Sequence, residues 1–159
     1  MTNEISLRVI QESDLPIFFE QQLDPEAARM AAFPARDHDA FNAHWAKIMT
    51  EETTFVRTID YRGEVAGNIV SWEQSGECKV GYWLGRRYWG KGIASAALSQ
   101  FLGLGKGRPL YARVAKHNAA SIRVLQKCGF AICGEDTFPC ADGEQGEEFI
   151  LVLDANDLE

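Results

Sequence analysis

At 159 residues the chain has the length of one domain, with 46% hydrophobic and 25% charged residues, the balance of a globular protein. A net charge of −7 argues against a broad nucleic-acid or anionic-membrane surface and suits a cationic partner such as an amine. No apolar run approaches the roughly 20 residues needed to cross a bilayer. The opening MTNEISLRVI lacks the basic and apolar regions of an export signal, so a cytoplasmic location is expected.

In chain order, Ile5, Leu7 and Val9 alternate with polar residues, as in a strand. Ser13 is expected to cap a helix with Asp14 and Pro16 in its first turn and Leu15, Phe18, Phe19 and Leu23 as its apolar face. Asp24-Pro25 starts a second short helix, Glu26–Ala31, broken by Phe33-Pro34. Asp37 or Asp39 opens a third, with Phe41, Trp45, Ile48 and Met49 at helical spacing, a stripe that suits core packing.

Thr54–Tyr61 and Val65–Trp72 read as strands joined around Arg62-Gly63-Glu64, and a second turn at Ser75-Gly76 leads into Glu77–Leu84. That strand stops at Gly85. Arg86 and Arg87, then Gly90, Lys91 and Gly92, precede a small-residue helix with Ile93, Ala97 and Phe101 on one face and Ala94, Leu98 and Leu102 beside it. Gly103, Gly105 and Gly107 read as helix termination and loop. Leu110–Val114 is the next strand. Asn118 caps a helix over Ala119–Cys128 that Gly129 ends, and Phe130–Ile132 begins another strand. Thr137–Gly146 reads as loop, Phe149–Leu153 as the last strand and Asp154–Glu159 as a frayed tail.

Strand, glycine-rich loop and helix in this order make a cradle of backbone N–H groups for phosphate oxygens. Gly90 and Gly92 let the backbone turn tightly and approach a ligand. The loop is not a nucleoside-triphosphate loop, because Gly92 follows Lys91, and Ser95 stands where a dinucleotide fold has its third glycine. The four cysteines (Cys78, Cys128, Cys133, Cys140) include no C-x-x-C pair, and the three histidines do not cluster with them, so no metal is expected.

Trp89-Gly90-Lys91-Gly92-Ile93-Ala94 resembles the coenzyme A loop of the GNAT superfamily of N-acetyltransferases, [Q/R]-x-x-G-x-[G/A], with Trp89 in place of the usual Gln or Arg. Asn118-Ala119-Ala120-Ser121 and Lys127-Cys128-Gly129-Phe130 fall at the family's N-x-x-S and K-x-G-F positions. Tyr88–Ala94 is similar to the loop of the branch that acetylates protein N-termini, including those of ribosomal proteins (the Rim-type enzymes). The resemblance implies one domain over residues 1–159, a mixed, mostly antiparallel sheet of six or seven strands flanked by helices, and acetyl-CoA as co-substrate. It also implies an amine acceptor, a protein N-terminus first and a small molecule second. Nucleic acid and membrane partners are not expected, and the assembly is a monomer or homodimer.

In the same terms, the Gly90–Ser95 backbone holds the diphosphate, with Arg87 and Lys91 as phosphate partners, while Tyr82, Trp83 and Leu84 pair with the pantetheine arm. Arg86 and Arg87 are equally readable as a solvated pair. Lys127 either reaches the adenosine phosphates or is a helix-surface lysine. Asn118 is a helix cap, a ligand to the arm, or both. The family's usual acid is a tyrosine four residues before the glycine of K-x-G-F. Leu125 stands there, which leaves Ser121 as the candidate acid. Glu73 is the candidate base, directly or through water, with Glu77 second. Phe33, Phe41 or Trp45 would touch the acceptor. A non-catalytic acyl-CoA sensor is the alternative, which turnover with any amine separates.

Overall fold

The computed structural model describes residues 4–104, 109–139 and 144–154. Within them β1 (Ile5–Arg8) leads through a 3-10 turn (Glu12–Asp14) into three helices, α1 (Leu15–Gln22), α2 (Pro25–Ala31) and α3 (His38–Thr50). The meander β2 (Phe55–Tyr61), β3 (Glu64–Gln74) and β4 (Glu77–Leu84) feeds α4 (Ile93–Leu104), followed by β5 (Leu110–Ala115), α5 (Ala119–Lys127), β6 (Ala131–Pro139) and β7 (Gln145–Leu153). The strands form one sheet in the order β1-β2-β3-β4-β5-β7-β6. Every neighbouring pair is antiparallel except β4 and β5. The expected mixed, mostly antiparallel architecture holds, with seven strands.

The parallel pair positions the site. β4 and β5 share only two registers, Cys78 with Leu110 and Lys79 with Tyr111. From Val80 to Leu84 the ladder of β4 continues to β3 alone. The two strands part there, and the β4 backbone groups facing β5 have no strand partner. One core fills the sheet face under α4 and α5, with Ile59, Ile69, Leu98 and Leu151 fully buried. A second, aromatic core lies under α1 and α3: Phe18 packs against Trp45 with tilted rings 5.1 Å apart and Phe19 meets Phe41 edge-on at 5.2 Å.

Both hairpins of the meander turn on two left-handed residues, Arg62-Gly63 and Ser75-Gly76, whose positive φ matches the twist of the flanking strands. Asp24 and Asp37 cap α2 and α3, accepting from the N–H groups of Glu26 and Ala40.

Several boundaries differ from expectation. Ser13 caps nothing. Asp14 instead folds back on the Gln11 N–H at 2.9 Å and is buried, bound by Arg8 and by the Thr58 hydroxyl. Val9 lies beyond β1 and is exposed, and Leu23 and Met49 are also exposed. Gly103 is inside α4; Gly105 and Gly107 lie outside the described residues. Thr137–Gly146 is not a loop, because Thr137 pairs with Glu147, Phe138 with Gly146 and Pro139 with Gln145. β6 is an edge strand, where the missing N–H of Pro139 is tolerated, and it is exposed on both faces, so it carries no apolar alternation. The tip of that hairpin, residues 140–143 with Cys140, and the tail beyond Asp154 lie outside the described residues.

Candidate active site

After β4 the chain passes Gly85 and a 3-10 turn (Arg86–Tyr88), then crosses Gly90 and Gly92 into α4. Gly90 and Gly92 have φ of +74° and +78°, and a Cβ on either would project into open space. The conformation strains any L side chain, and the space is what an anion needs to reach the backbone. The first N–H groups of α4 have no intrahelical partner and face the same direction. Trp89 explains its own departure from Gln or Arg: its indole N–H donates to the Leu84 carbonyl at 3.1 Å and ties the loop to the end of β4.

This loop forms one wall of a cavity of about 480 Å³. Trp89, Gly90, Gly92, Ile93, Ala94 and Ser95 line it on the loop side, Tyr82, Trp83 and Leu84 on β4, and Asn118, Ser121 and Lys127 on α5. Tyr82 and Lys127, 45 positions apart in the chain, thus line one cavity at the split in the sheet. Arg87 and Lys91 are not among the lining residues. Arg87 pairs with Glu64 at 3.4 Å and lies over the Tyr88 ring. The sequence reading missed the wall made by Ala27, Met30 and Ala31 of α2. That helix is held at both ends, by Asp24 to Arg86 at 3.2 Å and by the Arg29 carbonyl to His117 at 2.8 Å.

Asn118 is the helix cap, its side chain accepting from the Ser121 N–H at 3.2 Å, and it borders the cavity as well. Leu125 is 2% exposed and belongs to the main core. The phenol at the site comes from β4 instead: the Tyr82 hydroxyl lies 2.5 Å from Ser121 Oγ. Burial pushes the Tyr82 phenol above its ordinary value against the opposing pull of the Ser121 bond, so it is protonated at neutral pH. Sequence assigned Tyr82 only a backbone role. The one available signal was its alternation with Val80 and Leu84, which puts it on the α5 side of the sheet.

A second cavity, of about 550 Å³, opens on the opposite face. Its floor is Asn68, Val70 and Trp72 of β3 with Gly81 and Trp83 of β4, and its walls include Phe33, Phe41 and Trp45. Phe41 and Trp45 are therefore core residues that also face a cavity. The two cavities share Tyr82 and Trp83. Glu73 is exposed and borders the second cavity, inside β3 rather than beyond its end. It stands four residues along from Ile69, the partner of Tyr82, a separation of about 13 Å, so it is not brought to the Tyr82–Ser121 pair. Glu77 is exposed at the hairpin tip and lines neither cavity.

The acetyltransferase (GNAT) domain family matches residues 4–131. Among solved structures the chain superposes on the spermidine N-acetyltransferase of Vibrio cholerae in complex with CoA and spermine, with a TM-score of 0.84 at 15% identity over 99% of both chains. It also superposes on a GNAT-family acetyltransferase of Bacillus anthracis (0.77, 21% identity, 94% of this chain and 93% of that one). A third is the microcin C7 self-immunity acetyltransferase in complex with acetyl-CoA and AMP (0.78, 17% identity, 94% and 92%). At these identities the likeness is one of fold. A search of the curated proteins gave no match to the sequence. The family match spans most of the chain, and the chain belongs to the GNAT acetyltransferases. It is an acetyl-CoA-dependent acetyltransferase.

Proposed function

We propose that this chain acetylates the primary amine of a small molecule held in the second cavity, with acetyl-CoA in the first. The observation that carries this reading is the junction of the two cavities at Tyr82 and Trp83, with Tyr82 bonded to Ser121 there. Acetyl-CoA supplies a thioester whose acetyl group is already activated toward amines, so no nucleophilic side chain is needed. The residues present fit it. The N–H groups after Gly90 and Gly92 take the diphosphate, Lys127 and Asn118 flank the opposite wall, and the unpaired β4 edge from Val80 to Leu84 holds the extended arm.

The acceptor amine loses its proton to water in the second cavity, with Glu73 at the rim as the carboxylate that receives it through solvent. Tyr82, kept protonated by burial, donates to the departing thiolate, and the phenolate is reprotonated from solvent through the Ser121 hydroxyl, which passes one proton on as it takes up another. Ser121 is thus the second member of the acid pair. The fold relatives support a small acceptor, one being named for spermidine and another for microcin C7 self-immunity. A protein N-terminal amine is the second reading, favoured by the Tyr88–Ala94 loop sequence.

The test is thiol release from acetyl-CoA over a panel of small amines and N-terminal peptides, for wild type, Tyr82→Phe and Ser121→Ala. Tyr82→Phe is expected to lower kcat by about 10²-fold with coenzyme A binding retained, and Ser121→Ala to lower it less. Wild-type kcat in Tyr82→Phe would remove the acid assignment. Turnover confined to peptides would transfer the conclusion to the second reading.

A further inference from the structure

Three basic side chains, Arg36, His44 and Lys47, line the second cavity, and no carboxylate among the described residues pairs with Arg36. Arg36 lies between α2 and α3, and a single side chain pins its backbone from both directions. The Arg36 N–H donates to Gln22 Oε1 at 2.6 Å, and the Gln22 amide donates to the Arg36 carbonyl at 3.0 Å. The guanidinium sits over the Phe33 ring, 4.7 Å from its centroid, so one of its faces is covered. His44 and Lys47 of α3 line the cavity with it.

Burial alone acts on the Arg36 guanidinium and lowers it, with no carboxylate contributing. His44 is held below the usual imidazole range by burial first, then by Arg36 and Lys47. Two carboxylates border the same cavity, Glu51 at the end of α3 and Glu73 on β3, and neither forms an ion pair with Arg36. A half-buried guanidinium fixed in place without an anion is costly to the protein alone, and its planar fork matches a carboxylate.

We infer that the acceptor is an amine that also carries a carboxylate, bound by Arg36 with His44 and Lys47 beside it, and an apolar body against Trp45 and Trp72. This rests on the second cavity being the acceptor site. It separates the chain from its polyamine-acetylating fold relative, since a polyamine would bring further ammonium groups against Arg36 and Lys47.

Trp45, Trp72 and Trp83 line the cavity, so binding reads out as tryptophan fluorescence without acetyl-CoA. The probes are 3-phenylpropionate and hexanoate against the amines of the same skeletons. At least one carboxylate is expected to bind about tenfold tighter than its amine. Arg36→Gln should abolish that preference, Arg36→Lys should keep part of it, and Arg113→Gln, at a remote exposed arginine, should leave it intact. No carboxylate preference in wild type, or the same preference in Arg36→Gln, overturns the inference. In acetyl transfer, L-phenylalanine should exceed phenethylamine in kcat/KM by about tenfold, and spermidine as the preferred acceptor overturns it too. Carboxylate binding through Arg36 with no turnover of any amine would instead refute the transfer reading and leave the anion site standing.

Discussion

Replacing Gly67 by alanine tests whether the end of β4 is as tightly positioned as the site requires. Gly67 pairs with Leu84 across the β3–β4 ladder, next to an irregularity in register with β2. A Cβ there would stand 2.0 Å from the Trp83 carbonyl oxygen and 3.0 Å from Leu84 Cα. Both obstacles are backbone atoms inside a hydrogen-bonded ladder, so no side chain can swing aside to relieve the contact. The Trp83 carbonyl must move by at least about 1 Å to reach an allowed contact. Overpacking of this kind costs about 3 kcal/mol. Trp83 lies in the walls of both cavities, and a displacement of about 1 Å between reacting groups costs roughly 10²-fold in rate. Urea unfolding gives the first quantity, and acetyl transfer at a temperature where the variant stays folded gives the second. Gly103→Ala is the control, because nothing lies within 4 Å of that Cβ inside α4 and helix propensity predicts a gain of about 0.8 kcal/mol. A Gly67→Ala protein within about 0.5 kcal/mol of wild type and fully active would show that β4 yields freely, and the reasoning would fail.

Gly92→Ala should lose only about 1–2 kcal/mol of stability, from its φ of +78°, yet weaken coenzyme A binding more than tenfold in calorimetry, since the Cβ occupies anion space. Asp14→Asn should destabilise by about 3 kcal/mol, because Arg8, the Gln11 N–H and the buried Thr58 hydroxyl all lose a charged acceptor. Burial raises the Asp14 carboxyl, but the bonds from Arg8, Gln11 and Thr58 outweigh it and hold it below its unfolded value. That stability is therefore complete above an unfolded pKa of about 3.9 and lost as pH falls through the folded value, so the gap between the urea curves of the two proteins should close in strong acid. Leu125→Tyr, which restores a phenol to the family's usual position, should cost about 2 kcal/mol from overpacking and leave Tyr82→Phe unrescued in kcat.

The parts of the fold legible in the sequence are those that local physics determines. The Arg62-Gly63 and Ser75-Gly76 turns announce themselves because a two-residue hairpin demands positive φ, and Asp24 because a helix start demands an acceptor, while of the two candidates Asp37 and Asp39 the cap is Asp37. Asp14 misleads for the opposite reason. Next to Ser13 it looks like an ordinary first-turn acid, and its burial depends on Thr58, 44 residues away, and on Arg8. The outer part of the β6–β7 hairpin, from Thr137 to Gly146, was unreadable because it is held by ladder bonds on faces that water covers, while Phe130–Ile132 and Phe149–Leu153 were legible as strands. A strand that buries neither face has no apolar period to display.

The site divides along the same line. Gly90 and Gly92 act through backbone conformation, a local property that their spacing announces and their positive φ bears out. The acid does not. Tyr82 and Ser121 are 39 residues apart and meet only because β4 and β5 part and α5 packs back into the gap. Both Tyr82 and Leu125 belong to the core under α5, so a phenol delivered from the strand leaves the helix position to an aliphatic side chain. On the proposed reading, Tyr82 supplies the phenol that position 125 lacks. Arg36 follows the same logic, since its backbone is fixed by Gln22 from another helix. What a site needs from the backbone can be read along the chain, whereas what it needs from convergent side chains exists only once the sheet has opened.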